Sequence, residues 1–186
     1  MKYNPKEIQL KNNQICLIRH ATSKDAKAFL DFLTQISIET ENTIRYPQEI
    51  NITVEKEALI LKSMEQSSSQ YMLGAYIDGK LVGNAHCYGI GDRIKIAHRA
   101  GVGISVLKEY WGIGIGTILM QEMIQLMTNK GYEQLELDVM GNNDRAIALY
   151  KKLGFIECGR LPHGIRFIDG SYCDLVTMVK VLKKVG

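Results

Sequence analysis

Residues Tyr110-Trp111-Gly112-Ile113-Gly114-Ile115-Gly116-Thr117 alternate three glycines with bulky side chains, directly after the apolar run Gly103-Ile104-Ser105-Val106-Leu107. A pattern of helical period begins at Ile118. The chain therefore passes from strand to glycine loop to helix. Glycine carries no Cβ, so the backbone N–H groups of such a loop can converge on an anion at the helix N-terminus. A phosphate-bearing ligand is the first expectation, and any fold must join a strand and a helix at this turn.

The bulk properties bound that fold. A chain of 186 residues suits one domain spanning 1–186 with a sizeable core. A net charge of +3 is too weak to argue for nucleic acid, so no nucleic-acid partner is expected. No apolar run approaches the ~20 residues that cross a bilayer, and the polar start Met1-Lys2-Tyr3-Asn4-Pro5 has no signal-peptide core. Neither a membrane partner nor export is expected. Cys16, Cys87, Cys158 and Cys173 are widely spaced without a CxxC pair, which reads as reduced, mostly buried thiols in a cytoplasmic protein. His20, His86, His98 and His163 show no zinc-ligand spacing, so no metal is expected.

Ile15 to Arg19 reads as a first strand. Thr22 then offers an N-cap to an amphipathic helix with Ala26, Phe29, Leu30, Leu33 and Ile36 on one face. Thr53 caps a second helix with Glu55 and Glu57 in its first turn, and Ser67-Ser68-Ser69 ends it. Asp78-Gly79 joins Tyr71–Ile77 to Lys80–Tyr88 as a two-residue hairpin. Ile96 to Val106 is a further strand, in which Gly101 and Gly103 signal a bulge or a close backbone approach. Ile115, Leu119, Met123 and Leu126 mark the next helix, ended by Gly131. Leu135, Leu137 and Val139 alternate with acids as a strand, Asn143 to Leu153 forms a short helix, and a strand begins at Phe155 to Glu157. Asp169-Gly170 turns into a last strand, Tyr172 to Lys180. The expected order is β-α-α-β-β-β-α-β-α-β-β, a mixed α/β (α+β) fold with a mostly antiparallel sheet and helices packed on it.

The glycine loop matches neither common nucleotide fingerprint. A G-x-G-x-x-G run from Gly112 meets Thr117 in its third glycine position, and one from Gly114 meets Leu119. No Gly-Lys-Ser/Thr completes a Walker loop. Three glycines can also make a mere flexible connection. A second motif argues otherwise: Asn143-Asp144-Arg145-Ala146-Ile147-Ala148-Leu149-Tyr150-Lys151-Lys152-Leu153-Gly154-Phe155, one strand after the loop. Together the two stretches resemble the GNAT superfamily of N-acetyltransferases. The first is similar to its acetyl-CoA loop, R/Q-x-x-G-x-G/A, and the second to its N-x-x-A-x-x-L-Y-x-x-x-G-F element. The resemblance extends in element order over residues 14 to 182 and is specific in 102 to 155. One position departs from it: Trp111 stands where the family usually has Arg or Gln.

The resemblance implies a GNAT-like fold with a splayed parallel strand pair, and an acetyl-CoA-dependent N-acetyltransferase. It implies that the pyrophosphate sits on backbone N–H groups of Gly112, Ile113, Gly114, Ile115, Gly116 and Thr117, beside Trp111. It implies that the pantetheine arm lies between Ile104–Leu107 and Leu135–Met140, touching Ile104, Ser105 and Val106, with the Val106 N–H at the thioester carbonyl. Asn143 corresponds to an asparagine on the coenzyme arm, although Asn is equally at home as the N-cap of the following helix. Tyr150 corresponds to the general acid for the departing thiolate, although its spacing with Ala146 and Leu153 also suits a packed helix tyrosine. The acceptor implied is a primary amine, attacking in a ternary complex. Glu41, Asp138 and His98 are candidate bases between which the sequence does not choose.

Glu39, Glu41, Glu49, Glu55 and Glu57 outnumber Arg45 and Lys56 between the first two helices. In the family this region lines the acceptor pocket, and an acidic excess suits a cationic amine. A solvated charged loop has the same composition. The Asp169–Met178 stretch resembles the closing hairpin of members that acetylate ribosomal-protein N-termini, polyamines or small amines, and His163 and Arg166 precede it. Competing readings are a protein N-terminal acetyltransferase, a catalytically silent acetyl-CoA sensor and a nucleotide-dependent oxidoreductase. Homodimers are common in the family, and no interface is marked in the sequence.

Overall fold

The computed structural model describes residues 3–182. The chain divides into two compact units, one running up to Tyr88 with Gly103–Met123, the other formed by Gly89–Val102 and the stretch from Ile124 onward.

In the first unit, four strands pair in sequence order and all antiparallel: β1 (Lys6–Gln9), β2 (Ile15–His20), β3 (Gln70–Ile77) and β4 (Lys80–Gly89). β1 escaped the sequence reading because its four residues, Lys-Glu-Ile-Gln, carry a single apolar side chain. The β3–β4 hairpin turns at Asp78 (φ 48°) and Gly79 (φ 79°), as the Asp-Gly pair predicts. Helix α1 (Ala26–Glu39) starts one turn later than its Thr22 cap suggests, because Ser23–Asp25 forms a 3-10 turn first. Its buried face is Ala26, Phe29, Phe32 and Ile36, so Phe32 packs where Leu30 and Leu33 were expected, and those two are only half-buried. Leu61 of α2 (Val54–Gln66), Tyr76, Leu81 and Leu107 complete this core. The start of α3 (Ile115–Asn129) lies in this unit.

A buried ion pair locks the entry to α1. Asp25 accepts from Arg19 Nη1 at 2.8 Å and Nη2 at 2.6 Å, and from the Thr22 N–H at 2.8 Å. The Arg19 guanidinium also lies 4.0 Å from the centre of the Tyr76 ring. Burial alone would raise the Asp25 pKa, but the Arg19 and Thr22 hydrogen bonds outweigh it and hold the carboxyl at about 2, against 3.8 ordinarily. Asp25→Ala leaves Arg19 without its partner and is expected to cost about 2–3 kcal/mol of unfolding free energy at pH 7. A depressed carboxyl stabilises above its unfolded pKa and ceases to do so as pH falls through its folded one. The gap between wild type and variant in urea melts should therefore close between pH 4 and pH 2, and an equal gap at both pH values would refute this role.

In the second unit the strand order is the first half of β5 (Arg99–Val106, of which Gly103 onward belongs to the first unit), β6 (Gln134–Met140), β8 (Tyr172–Val181) and β7 (Ile156–Arg166). β5 and β6 run parallel over Arg99–Gly101 against Gln134–Glu136, while β6–β8 and β7–β8 are antiparallel. β5 begins at Arg99 rather than Ile96, because Ile96 and Ala97 donate to the Arg93 carbonyl in a turn. Arg99 and Glu136 form a bidentate pair across the parallel ladder. β7 begins at Ile156, where a strand was expected to start, and runs eleven residues with two register shifts. Helix α4 (Asp144–Lys152) and the Gly131 and Gly154 helix stops, both at positive φ, match the reading.

The cysteines divide evenly. Cys16 and Cys87 are buried, but Cys158 is exposed and Cys173 half-exposed, so "mostly buried" holds for only two of the four, all of which are free. The exposed pair lies on the β7–β8 ribbon.

Candidate active site

In the first unit, the turn after β5 carries the glycines. Lys108–Tyr110 makes one 3-10 turn, and Gly112 (φ 84°) and Gly114 (φ 108°) adopt left-handed backbone before α3 starts at Ile115. Side chains rarely adopt those angles, which explains the glycines. The first helical hydrogen bond of α3 runs from Ile118 N–H to the Gly114 carbonyl at 3.1 Å. Among the described residues, no backbone N–H from Gly112 to Thr117 donates to a protein acceptor. A run of unpaired amides at the positive end of a fifteen-residue helix is chemically a receptor for a diphosphate. Ile115, 1% exposed, anchors the helix start in the core.

The end of β5 is held from three sides. The Trp111 indole Nε1 donates to the Val106 carbonyl at 2.7 Å. The Leu107 N–H donates to Val82 of β4 at 3.0 Å. The Lys108 N–H donates to Glu39 Oε2 at 2.8 Å, and Gln35 Nε2 holds the other oxygen of that carboxylate at 2.7 Å. Ile104, Ser105 and Val106 are half-buried, between a buried Val102 and a buried Leu107.

Gly103 is the close approach its sequence position suggested: a Cβ there would lie 2.5 Å from Cε1 of His86. Burial pushes the His86 imidazole below its ordinary value, so it is neutral at physiological pH. The sequence reading passed over His86, because only the partner strand's glycine marks it.

At the C-terminal end of α1, a cleft of about 410 Å³ is lined by Glu39, Glu41, Arg45 and Tyr46, among others. Glu41 and Arg45 are exposed. The carboxylate of Glu39 is already engaged, so the lining carboxylate left to a ligand is that of Glu41.

In the second unit, Asn143 caps α4: its Oδ1 accepts the Ala146 N–H at 3.2 Å. That engages the side-chain oxygen and leaves the Nδ2 donor without a protein acceptor among the described residues. Tyr150 is 6% exposed, and its ring tilts against Phe155 at 5.8 Å between centroids. Its hydroxyl bonds to no protein group among the described residues. Burial raises its pKa to about 12, which keeps the phenol protonated. Asp138 is an exposed β6 residue that accepts from Thr177 Oγ1 at 2.6 Å. His98 precedes the first residue of β5, the strand that ends at Val106, and its carbonyl accepts the Glu133 and Gln134 N–H groups. His163, at φ 55°, stacks on Tyr172 at 4.7 Å, with the Arg166 guanidinium 5.8 Å from that ring.

The model of the acetyltransferase (GNAT) family matches residues 31–155, a stretch that holds both motifs. The chain belongs to the GNAT acetyltransferase family. It is 30% identical over 167 residues to the L-amino acid N-acetyltransferase AaaT of Escherichia coli K12, covering 89% of this chain and 97% of that one. A GNAT-family acetyltransferase from Streptococcus pneumoniae superposes with a TM-score of 0.84 at 31% identity, over 89% of this chain and 99% of that one. The ribosomal-protein-alanine N-acetyltransferase of Brucella melitensis superposes at 0.78 with 27% identity, over 89% and 99%. The fold is thus the GNAT fold, a mostly antiparallel mixed sheet with the splayed parallel pair β5–β6 and flanking helices. The chain is an acetyl-CoA-dependent N-acetyltransferase. The unpaired amides from Gly112 to Thr117 fit the diphosphate of that co-substrate. Among the described residues, no group of three or more metal-ligating side chains could hold an ion.

Proposed function

We propose that this GNAT enzyme transfers the acetyl group of acetyl-CoA directly to the primary amine of a small α-amino acid-like acceptor, in a ternary complex. The observation that carries the donor half is the run of unpaired amides from Gly112 to Thr117 at the head of α3. In this reading those amides and the Asn143 Nδ2 bind the coenzyme. The Val106 N–H donates to the thioester oxygen as negative charge develops there, a contact worth roughly 2.7–4 kcal/mol where such donors have been removed. Tyr150 donates a hydrogen bond to the leaving sulfur.

The acceptor half rests on the cleft at the end of α1. Glu41 suits an ammonium and Arg45 a carboxylate, and an α-amino acid carries both groups. The relative from Escherichia coli bears the name of an amino acid acetyltransferase. Among the three bases read from the sequence, Glu41 is favoured because it lines this cleft. Asp138 is engaged by Thr177, and His98 lies before the start of β5. The same reading treats residues 1–186 as one domain, since the family match spans segments of both units, and places it in the cytoplasm, in keeping with four free cysteines.

Release of free thiol from acetyl-CoA, measured over amino acids, their amides, polyamines and peptides, tests the reading. Free amino acids should exceed their amides by tenfold or more in kcat/KM, and Arg45→Ala should erase that preference. Peptides surpassing every amino acid would favour a protein N-terminal acetyltransferase, the activity named for the Brucella melitensis relative. Tight coenzyme binding with no amine-dependent thiol release would identify a sensor.

A further inference from the structure

We propose that Trp111 is a positioning residue: its indole N–H closes the edge of β5 at Val106 and so sets the register in which the amide-bearing arm of the acyl donor pairs with that strand. The inference rests on the reading that this arm lies along Ile104–Val106.

The orientation of the strand end follows from its hydrogen bonds. The Leu107 N–H points at β4, where it meets the Val82 carbonyl at 3.0 Å. A peptide unit places its carbonyl opposite its N–H, so the Val106 carbonyl points away from β4. The N–H and C=O of one strand residue share a side, so the Val106 N–H points away from β4 as well. Residues two apart repeat that direction, so Ile104 presents its N–H and C=O on the same edge. That edge thus offers four polar groups along Ile104–Val106, and the last, the Val106 carbonyl, is taken by Trp111 Nε1 at 2.7 Å.

The Val106–Leu107 peptide unit is consequently gripped at both polar atoms, by the Trp111 indole and by β4. The fully buried Leu107 side chain and the Lys108–Glu39 bond fix it further. An arm added to this edge finds acceptors only up to Ile104 and a last donor at Val106. Without the indole, the Val106 carbonyl becomes an acceptor and admits a second register, displaced by two residues or about 7 Å. In that register the thioester carbonyl misses the Val106 N–H. Donor bound this way is held but does not react. An Arg or Gln at this position, as the GNAT loop usually has, also carries an N–H donor, on a more flexible side chain; here the indole is turned back on its own strand.

Trp111→Phe keeps a ring and removes the donor. Its kcat and its KM for acetyl-CoA should both fall, by about tenfold, because non-productive binding lowers the two together and leaves kcat/KM near that of wild type. A residue that merely supports the fold would instead raise KM and lower the melting midpoint. β-(Benzothienyl)alanine at position 111, with the indole shape and no N–H, should reproduce the loss if the phenylalanine variant folds poorly. Trp111→Arg, which restores a donor, should recover kcat to within about threefold of wild type. A kcat within twofold of wild type in the donor-less variants, a loss confined to KM, or no recovery with arginine would each overturn the proposal. Hydrogen exchange separates the two levels. If coenzyme A fails to protect the amides of Gly112–Thr117 in wild type, the donor-site reading falls and this inference with it. Protection there with an unimpaired Trp111→Phe variant removes this inference alone.

Discussion

Tyr150→Phe should lower kcat by about 10²–10³-fold with little change in KM for acetyl-CoA and none in the melting midpoint. The size is that of a positioned proton or hydrogen-bond donor in acyl transfer. The lack of a stability effect follows from the structure: the ring is 6% exposed and packs on Phe155, and phenylalanine keeps that contact. The hydroxyl bonds to no protein group among the described residues, so its removal orphans nothing. Its oxygen is not fully buried, although the ring is, so it stays open to a ligand.

The raised pKa refines what that hydroxyl does. With the phenol pushed up to about 12 by burial, and an ordinary thiol near 8.5, full proton transfer to a departing thiolate runs uphill by three to four pH units. In the proposed mechanism Tyr150 therefore stabilises the leaving sulfur by hydrogen bonding, and the sulfur takes its proton later from solvent. Because the folded pKa is raised, the phenol remains protonated at every pH below that value. The donor is present throughout an assay from pH 6 to 10, so kcat should show no descending limb there that the Phe variant lacks. Such a limb near pH 10 would contradict the assignment, as would a kcat within fivefold of wild type.

Much of this was legible in the sequence, and the reasons differ by element. The Asp78-Gly79 hairpin was readable because both turn residues need positive φ, a demand met by few residue types. The glycine loop was readable for the same cause, and Asn143 because a cap advertises itself locally; its two readings proved compatible, with Oδ1 on the helix and Nδ2 left over. What stayed hidden depends on contacts distant in sequence. The Arg19–Asp25 lock is built across a strand, a turn and Tyr76. Glu39 reaches the Lys108 amide from 69 positions away, and nothing in its neighbours announces that it holds β5 rather than an amine. Trp111 stood out only as a departure from the family's Arg or Gln, and only the geometry shows that its N–H meets the Val106 carbonyl.

The glycine loop bears the other large expected effect. Gly114→Val should raise the KM and Kd for acetyl-CoA by about 100-fold or more while leaving the protein folded. At φ 108° no other heavy atom lies within 4 Å of an added Cβ, so the cost is backbone strain rather than collision. Holding a branched residue at such an angle costs about 1–3 kcal/mol, and the loop relieves that by moving toward negative φ. Any such rotation turns the Ile115 N–H and its neighbours away from one shared point. Losing two charge-assisted hydrogen bonds, at about 1.5–3 kcal/mol each, then accounts for at least two orders of magnitude in affinity. The helix itself should survive, since Ile115 and Leu119 are anchored in the core. Gly79→Val is the matched control: it too sits at positive φ (79°) with nothing near its Cβ, but in the β3–β4 turn. Both variants should melt at lower temperature by similar amounts, and only the change at 114 should weaken acetyl-CoA, read by calorimetry and by KM. Equal coenzyme affinity in the two variants would mean that the amides of this turn do not hold the diphosphate, and the donor site would have to be sought elsewhere.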